Sequence, residues 1–348
     1  MSKVVSGPLR LPADRNAVIA GVGAWLPPNV VTNHDLAARL DTDDTWIRTR
    51  TGIAQRHIAG PGIATSDLAV EAGLRALKSA GDTPVDAVVV ATTTPDRPCP
   101  ATAPEVAARL GFRGVLAFDV SAVCTGFLYG LATAAGLIAA GTAQQVLLIG
   151  AETFSTIVNP EDRTTAVIFA DGAGAVVLRA GTRDESGAIG PIVLGSDGGL
   201  SDLIQVPAGG SRQRSSPRSP MAGEEYFVMR GRETYRQAVE RMTSSGEQAV
   251  EAAGWRMDDV DRLVAHQANA RILDTVAGRL GIEAERRVSN IEHVGNTAAA
   301  SIPLLLAEAA ASGCIVPGHR ILMTAFGGGL TWGAATAVWP DLDVLPAT

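Results

Sequence analysis

The chain has 348 residues, of which 46% are hydrophobic and 19% charged, as is typical of a globular enzyme with a substantial core. Its formal net charge is −7 at pH 7, which argues against nucleic acid as a partner. It contains three cysteines, an odd number without zinc-ligand spacing, so neither a disulfide framework nor a metal site is predicted. These features favour a reducing compartment, and we predict a cytoplasmic protein.

Two segments bear on targeting and membranes. Residues 1–16 carry no apolar signal core and are interpreted as a short polar arm. The uncharged stretch from Val120 to Ala151 is long enough to suggest a membrane span. However, Asp119 and Glu152 flank it, and its Thr, Gly and Gln residues favour a strand, a buried helix and a second strand. We therefore predict no membrane association.

Apolar runs rich in β-branched residues alternate with helical patterns along the chain. This alternation predicts an α/β fold whose sheets are covered on both faces. In chain order, the predicted elements are strand Ala17–Val22, helix Ser66–Ser79, strand Ala87–Thr93, helix Pro104–Leu110, strand Val115–Val120, helix Thr125–Ala140, strand Gln145–Gly150, strand Ala173–Leu178, strand Ile192–Gly195, helix Tyr235–Ala253, strand Arg262–His266, helix Arg271–Leu280, helix Ile302–Ala311, strand Arg320–Ala325 and strand Ala334–Trp339.

The two halves of the chain have the same order of predicted elements. In each, a helix ends in Ala-Gly, at Gly81 and at Gly254, and a Val-Asp pair and a strand follow. Each half then continues with a helix, a strand, a buried helix rich in Gly and Ala, and two strands. We predict a duplicated α/β unit, with halves at 17–180 and 181–348, although a chance similarity of two βα units is an alternative. Residues 208–223, rich in Gly, Ser, Pro and Arg, predict an exposed loop.

Cys124 is the first candidate for chemistry because it follows a strand and opens a buried helix. The positive end of the helix dipole favours a thiolate there, so we expect a lowered pKa. Unpaired N–H groups at the same helix start can hold an oxyanion. The alternative is a small buried cysteine that packs as a hydrophobic residue. Cys99 and Cys314 lack this placement and are interpreted as structural or pocket-lining.

His266 and Asn296 are the next candidates. His266 ends an apolar strand, where α/β folds place reactive side chains, and Asn296 lies in a Gly-Asn-Thr turn before an apolar helix. Taken alone, such a histidine is more often a core residue, and such an asparagine a turn or helix cap.

Three glycine clusters do not match the motifs of nucleotide-binding sites. Pro27 and Pro28 follow the first cluster at Gly21–Gly23, the second at 171–174 leads into a strand, and the third at 327–329 lacks the Lys-Ser/Thr of a phosphate loop. They suit close approaches of the backbone, and the third cluster can supply a second oxyanion N–H.

Five motifs occur together in a fixed order, and together they are highly specific. They span residues 43–53, 119–127, 266–269, 295–303 and 326–333. With them the chain resembles the β-ketoacyl-acyl-carrier-protein synthase III family of thiolase-like condensing enzymes, from about Ala17 to Trp339.

The resemblance implies a thiolase fold, a layered αβαβα arrangement of two similar halves, and a homodimer. It implies that an acyl-CoA starter acylates Cys124, with the N–H groups of Cys124 and Gly328 as the oxyanion hole. His266 and Asn296 then stabilise the enolate formed when a malonyl-carrier thioester loses CO2. The condensation needs no cofactor and no metal.

The resemblance also implies a CoA tunnel. Trp46 and Arg163 match the pair that sandwiches the adenine, and Arg50 matches the residue that contacts the nucleotide phosphates. Asn269 matches a position near the pantetheine arm.

For the acyl carrier protein, Arg271 is the best match to the docking surface, with Arg236 and Arg279 as weaker candidates. Each of these arginines could equally be a solvated surface charge. Cys99 occupies the place where some relatives have a Phe that closes the partner's acyl pocket. Since cysteine is smaller, we expect an acyl pocket that accepts branched or longer starters.

Four other functions are less well supported. A degradative thiolase needs a second cysteine in the glycine loop, and the sequence there is Ala325-Phe326-Gly327. Papain-like proteases share the residue types but not the surrounding motifs. A natural-product acyltransferase that moves an acyl group without condensation is an alternative, which the intact Asn296 disfavours. A non-catalytic binding module is the last option. Fatty-acid initiation and polyketide priming both fit the sequence.

Overall fold

The computed structural model describes residues 15–347. The predicted N-terminal arm therefore lies outside the described residues except for its last two. The strands are β1 Asn16–Trp25, β2 Val30–Thr32, β3 Gln55–His57, β4 Ala87–Ala91, β5 Leu116–Val120, β6 Gln145–Thr153, β7 Asp171–Gly181, β8 Ile189–Ser196, β9 Ile204–Gln205, β10 Val228–Met229, β11 Arg262–Ala265, β12 Arg320–Gly327 and β13 Thr331–Val338. The α-helices are α1 Asn33–Ala37, α2 Asp44–Thr51, α3 Thr65–Ser79, α4 Ala103–Arg109, α5 Gly126–Ala139, α6 Ser211–Arg214, α7 Gly231–Ala252, α8 Ala270–Leu280, α9 Ile291–Val294 and α10 Ser301–Ala311.

Two larger sheets repeat one pattern of strand directions. The first has the order β1-β7-β6-β4-β5 and the second the order β8-β13-β12-β11. In the first, β4 runs parallel to β6, and β6, β7 and β1 are successively antiparallel. In the second, β11 runs parallel to β12, and β12, β13 and β8 are successively antiparallel. The boundary that we place between residues 180 and 181 falls at the end of β7 and stays a prediction.

The second half lacks one strand of the repeat that the sequence predicts. In the first half, β5 pairs in parallel with β4. In the second half, the corresponding segment forms only an isolated bridge between Leu263 and Arg287. The prediction of a strand there was wrong. A single apolar residue, Val288, between polar neighbours cannot distinguish a bridge from a strand.

The helices form three layers around the two sheets. Helices α5 and α10 lie between the sheets and contact both, α3 and α4 cover the outer face of the first sheet, and α7 with α8 covers the second. Because α5 is enclosed by two sheets, it is apolar on all sides, with Phe127, Leu128 and Leu131 at 1% exposure or less. This αβαβα arrangement confirms the predicted fold class.

The stretch from Val120 to Ala151 forms the end of β5, helix α5 and most of β6, as predicted. Within residues 15–347, no helix combines the length and apolar character that a membrane crossing requires. Residues 208–223 are mostly exposed, as predicted, and include the short helix α6.

Candidate active site

Cys124 lies in a single 3-10 turn, Val123–Thr125, between β5 and α5. The residue before it, Val123, has a φ of 48°, a left-handed conformation that β-branched residues rarely adopt. Such a conformation costs about 1–3 kcal/mol and is typical of sites where the backbone must aim a functional group. Nothing in the local sequence predicts it, because valine is the residue type least expected there.

The backbone around Cys124 has free donors. Among the described residues, the N–H of Gly328 has no acceptor, and the N–H of Cys124 contacts only its own sulfur. Gly327 packs so closely that a Cβ on it would lie 2.8 Å from the Cys124 nitrogen, so a side chain at 327 would collide with this backbone. The two predicted oxyanion donors therefore lie on neighbouring segments and are unoccupied, although their role stays a proposal.

The expectation of a lowered thiol pKa was wrong for the free chain. Burial and, to a smaller extent, the charge of Glu152 raise the pKa of the Cys124 thiol to about 12, while the backbone N–H acts in the opposite direction. The helix start was correctly located, but the sequence did not reveal the desolvation of this partly buried thiol or the nearby carboxylate.

His266 follows directly after β11 and is 1% exposed. Its Nδ1 lies 2.6 Å from the hydroxyl of Ser301. Its Nε2 has no hydrogen-bond partner among residues 15–347. Burial lowers the pKa of His266 to about 3, so the ring is neutral at physiological pH.

Asn296 is held by both its backbone and its side chain. Its N–H donates to the carbonyl of Ile168 over 3.0 Å, and its carbonyl accepts from Ala170 over 2.9 Å. Its Oδ1 accepts from the N–H of Ala298 over 2.9 Å. The amide Nδ2 has no partner in the described part of the chain and is free to donate.

Cys124, His266 and Asn296 line one cavity of about 410 Å³. The three residues come from the first half, from the end of β11 and from the turn before α10. The structure thus brings together the three residues that the sequence singled out as catalytic.

The sequence and the fold of this chain are similar to those of one known family of enzymes. The family profiles for 3-oxoacyl-[acyl-carrier-protein (ACP)] synthase III match residues 118–198, and residues 250–339 for its C-terminal part. β-Ketoacyl-[acyl-carrier-protein] synthase III 3 of Streptomyces coelicolor is 61% identical, over 94% of this chain and 99% of that protein. The solved 3-oxoacyl-(acyl carrier protein) synthase III of Pseudomonas aeruginosa PAO1 is 50% identical, with a TM-score of 0.89 over 95% of this chain and all of that one. This chain belongs to the β-ketoacyl-ACP synthase III family.

A priming β-ketosynthase of the R1128 polyketide pathway is also similar, at 33% identity and a TM-score of 0.88 over 96% of this chain and 99% of that one. Relatives named as synthase III and one named as a polyketide priming β-ketosynthase thus share the fold.

The residues that this synthase III family member was predicted to use for CoA lie together. The guanidinium carbon of Arg50 lies 4.6 Å from the centre of the Trp46 ring, and that of Arg163 lies 5.3 Å from it. Arg163 also donates to the backbone carbonyl of Asp41 over 2.6 Å. Both guanidinium groups thus contact the indole, on which an adenine is predicted to stack.

Asn269 has two roles in the structure. It caps α8, since its Oδ1 accepts from the N–H of Arg271 over 2.9 Å, and its Nδ2 donates to the carbonyl of Arg50 over 2.9 Å. It also lines the cavity that contains Cys124. Asn269 therefore contacts both the backbone of Arg50, next to Trp46, and the catalytic cavity.

The predicted docking residues Arg271, Arg236 and Arg279 are all exposed on α7 and α8. None forms an ion pair within residues 15–347, so all three charges are available to a partner. Cys99 and Cys314 are exposed as well, and neither lines the cavity of its own chain. The expectation that Cys314 lines a pocket is therefore not met at this cavity, and the role of Cys99 in a partner's acyl pocket stays a prediction.

Two features of this synthase III site were not predicted from the sequence. The first is an aromatic cluster in which Phe154 and Phe169 stack with centroids 4.3 Å apart, and Phe227 meets them edge-on at 5.2 and 5.0 Å. Phe169 and Phe227 line the cavity, so the cluster forms a stiff wall where an acyl chain would lie. Its members lie far apart in the sequence, and no local signal joins them.

The second is Glu152, which is fully buried at the end of β6. Its carboxylate accepts from the hydroxyl of Thr94 over 2.7 Å and from the N–H of Thr93 over 3.0 Å. Burial raises the pKa of Glu152 to about 7, although these hydrogen bonds lower it. A charged residue directly after a buried strand was the available signal.

Proposed function

We propose that this chain is a β-ketoacyl-ACP synthase III that joins an acyl-CoA starter to malonyl-ACP and thereby initiates an acyl chain. The observation that supports this most directly is the shared cavity, which is lined by Cys124 together with His266 and Asn296, whose side chains each have a nitrogen without a partner among residues 15–347. An acyl thioester needs the sulfur, and an enolate needs the donors.

The first step is acyl transfer. The Cys124 sulfur attacks the thioester carbonyl, a new carbon–sulfur bond forms, and the CoA thiol leaves with the proton that Cys124 gave up. The N–H groups of Cys124 and Gly328 are proposed to stabilise the tetrahedral oxyanion. The high pKa of the free thiol slows the attack because it lowers the fraction of thiolate, while the overall step neither consumes nor releases a proton.

The second step is decarboxylative condensation. The malonyl thioester loses CO2, and the electron pair of the broken bond moves to form an enolate whose oxygen accepts from His266 Nε2–H and Asn296 Nδ2–H. The enolate carbon then attacks the acyl carbonyl on Cys124, and the sulfur leaves and regains a proton. No metal or redox cofactor enters this scheme, which remains a prediction.

We propose the binding roles by the same reasoning. Trp46, Arg50, Arg163 and Asn269 would bind CoA, and the unpaired Arg271, with Arg236 and Arg279, would bind the acidic carrier protein. The enzyme is proposed to act as a homodimer in the cytoplasm.

The test is intact-protein mass spectrometry after mixing with acetyl-, isobutyryl- and octanoyl-CoA. We expect one acyl group per chain, located on Cys124 by peptide mapping, and its absence in Cys124→Ala but not in the matched thiol control Cys314→Ala. Adding malonyl-ACP should then release CO2 and yield the β-ketoacyl product. Acyl transfer to an acceptor without CO2 release would favour the acyltransferase alternative, and no adduct with any starter would contradict both.

The same experiment tests the acyl pocket. If Cys99 leaves room at the end of the partner's pocket, the wild type should accept isobutyryl- and octanoyl-CoA, and Cys99→Phe should shift the preference toward acetyl-CoA. Strict acetyl preference in the wild type would show that the aromatic wall, and not position 99, sets the limit.

A further inference from the structure

Ser301 is the first residue of α10 and is buried, at 3% exposure. Its hydroxyl oxygen lies 2.6 Å from Nδ1 of His266 and accepts the backbone N–H of Gln267 over 3.2 Å. Ser301 thus contacts the ring nitrogen of His266 that does not face the substrate. Nothing in the proposed mechanism uses this contact.

The peptide that donates to Ser301 is itself held rigidly. Gln267 is fully buried, and its Nε2 donates to the carbonyl of Ala265 over 2.8 Å. Its Oε1 accepts from the hydroxyl of Ser289 over 2.8 Å and from the N–H of Asn290 over 3.1 Å. The direction of the N–H toward Ser301 is therefore set by the fold.

These contacts decide where the hydrogens lie. Within residues 15–347, the Ser301 hydroxyl has no hydrogen-bond acceptor other than His266 Nδ1. If Nδ1 carried a hydrogen, it would donate to an oxygen that already accepts from Gln267, and the buried hydroxyl hydrogen would have no acceptor, which is unfavourable. With the opposite arrangement, Ser301 donates to Nδ1 and every group is satisfied. The neutral ring then carries its hydrogen on Nε2.

We propose that Ser301 is a positioning residue that holds His266 in the Nε2–H tautomer, so that Nε2 can donate to the enolate oxygen of the malonyl substrate. The inference rests on the proposed function and deepens it. It predicts different effects on the two steps of the reaction. Acylation of Cys124 uses backbone donors, whereas decarboxylation uses the donor on Nε2. A loss of Ser301 should therefore affect only the second step.

The experiment compares Ser301→Ala with Ser245→Ala, a matched control. Ser245 is a buried helical serine whose hydroxyl lies 3.4 Å from the carbonyl of Met242, and Ser245 itself does not line the cavity. In Ser301→Ala, CO2 release from malonyl-ACP should fall about 10- to 100-fold, less than when an oxyanion donor is removed outright. The rate of Cys124 acylation should stay within about 2-fold, since the oxyanion N–H groups are unchanged. Ser245→Ala should change neither rate, and Ser301→Thr, which keeps the hydroxyl, should restore CO2 release.

A spectroscopic measurement tests the tautomer directly and does not depend on activity. In protein labelled with 15N-histidine, the His266 signals, assigned by their loss in His266→Ala, should show a pyrrole-like Nε2 and a pyridine-like Nδ1. Ser301→Ala should shift both toward the average of the two tautomers. If that variant does not fold, as judged by thermal unfolding, Ser301→Cys replaces it.

The outcomes are distinguishable. A wild-type spectrum with a pyridine-like Nε2 overturns the inference whatever the activity. Equal loss of acylation and decarboxylation in Ser301→Ala also overturns it, because a structural defect would affect both. Absence of CO2 release from the wild type would instead contradict the proposed function and leave the tautomer assignment to the spectrum.

Discussion

At the scale of single residues, the site is built from side chains whose ordinary acid–base properties are changed by burial. Burial lowers the pKa of His266 to about 3 and raises the pKa of Cys124 to about 12, so both are neutral at pH 7. A neutral imidazole suits a hydrogen-bond donor to an enolate. A protonated thiol is less suited to attack, and Glu152 contributes to that penalty.

The first prediction concerns Glu152→Gln. Because the pKa of Glu152 is raised to about 7, its negative charge, and with it the repulsion of a thiolate at Cys124, grows as the pH rises through 7. The variant removes that charge, while the hydroxyl of Thr94 can turn to accept from the new amide. Cys124 should then react faster with iodoacetamide above pH 7 and at the wild-type rate below pH 6. A rate difference of the same size at every pH would contradict the electrostatic explanation.

At the scale of elements, the catalytic turn is positioned by close contact between α10 and the first sheet. Gly150 and Gly174 are paired neighbours on β6 and β7. A Cβ on Gly150 would lie 2.4 Å from the carbonyl oxygen of Ala299, and one on Gly174 would lie 2.3 Å from the nitrogen of Leu304. Only glycine lets the segment that follows Asn296 lie this close to the strands.

The second prediction follows from this approach. Gly174→Ala should lower the free energy of unfolding by about 1–3 kcal/mol, because the obstructing atoms belong to the backbone and cannot turn away. Gly136→Ala is the matched control, since nothing lies within 4 Å of a Cβ there and alanine favours the helix. Urea unfolding followed by tryptophan fluorescence compares the two. Equal stability of Gly174→Ala and wild type would show that the helix can shift.

The third prediction concerns the pair that joins α9 to α10. His293 Nε2 lies 2.8 Å from Glu308 Oε1, and this contact raises the pKa of His293. A raised pKa in the folded state gives stability that is fully present below the unfolded pKa of about 6.5 and is lost as the pH rises through the folded pKa. His293→Gln should therefore lower the melting temperature more at pH 6 than at pH 9.

The size of that effect is limited by solvent. The His293 side chain is 51% exposed, so the pair should contribute no more than about 1 kcal/mol. The control is a Glu308→Gln background, which lacks the partner charge and in which His293→Gln should lose this pH dependence. A larger effect at pH 9 than at pH 6 would contradict the assigned protonation.

At the scale of the whole molecule, the two sheets enclose a common helical layer, and one edge of the first sheet stays open. Strand β5 pairs with β4 on one side, and no described strand pairs with its other side. Leu116 on β5 is 42% exposed, and open strand edges tend to pair with other chains. This edge is the natural place for the predicted homodimer.

The fourth prediction tests that edge. Light scattering on the wild type should give twice the chain mass of 35.9 kDa. Leu116→Asp should shift the protein toward the monomer because it places a charge in the contact, whereas Leu74→Asp, at an exposed leucine on α3, should not. A monomeric wild type would remove the basis for a role of Cys99 in a partner's pocket.

The fifth prediction tests the docking surface. The chain carries a net charge of −7, so attraction of an acidic carrier must come from a local basic surface. Arg271→Glu should raise the KM for malonyl-ACP about 10-fold at low salt and leave the KM for acyl-CoA unchanged. Lys78→Glu, the same charge reversal on α3, should change neither value. If both variants raise the KM equally, the overall charge and not this surface guides the carrier.

The sequence alone determined the order and type of most elements and singled out the three residues that the structure brings to one cavity. Apolar periodicity is a local property, so the strands from Ala87 and Gln145 and the helices from Arg271 and Ile302 were placed to within a few residues of their structural bounds. Cys124 became a candidate because a strand-to-helix junction is also local, and the family motifs then favoured its catalytic role over a structural one.

What only the tertiary structure decided depends on groups that are distant in the chain. The pKa of Cys124 was predicted in the wrong direction, because desolvation and the charge of Glu152 come from the packing of α5 and β6. The tautomer of His266 depends on Ser301, 35 residues away, and the aromatic wall joins three separated phenylalanines. Burial and hydrogen bonding are sums over spatial neighbours, and a sequence does not state its spatial neighbours until the chain has folded.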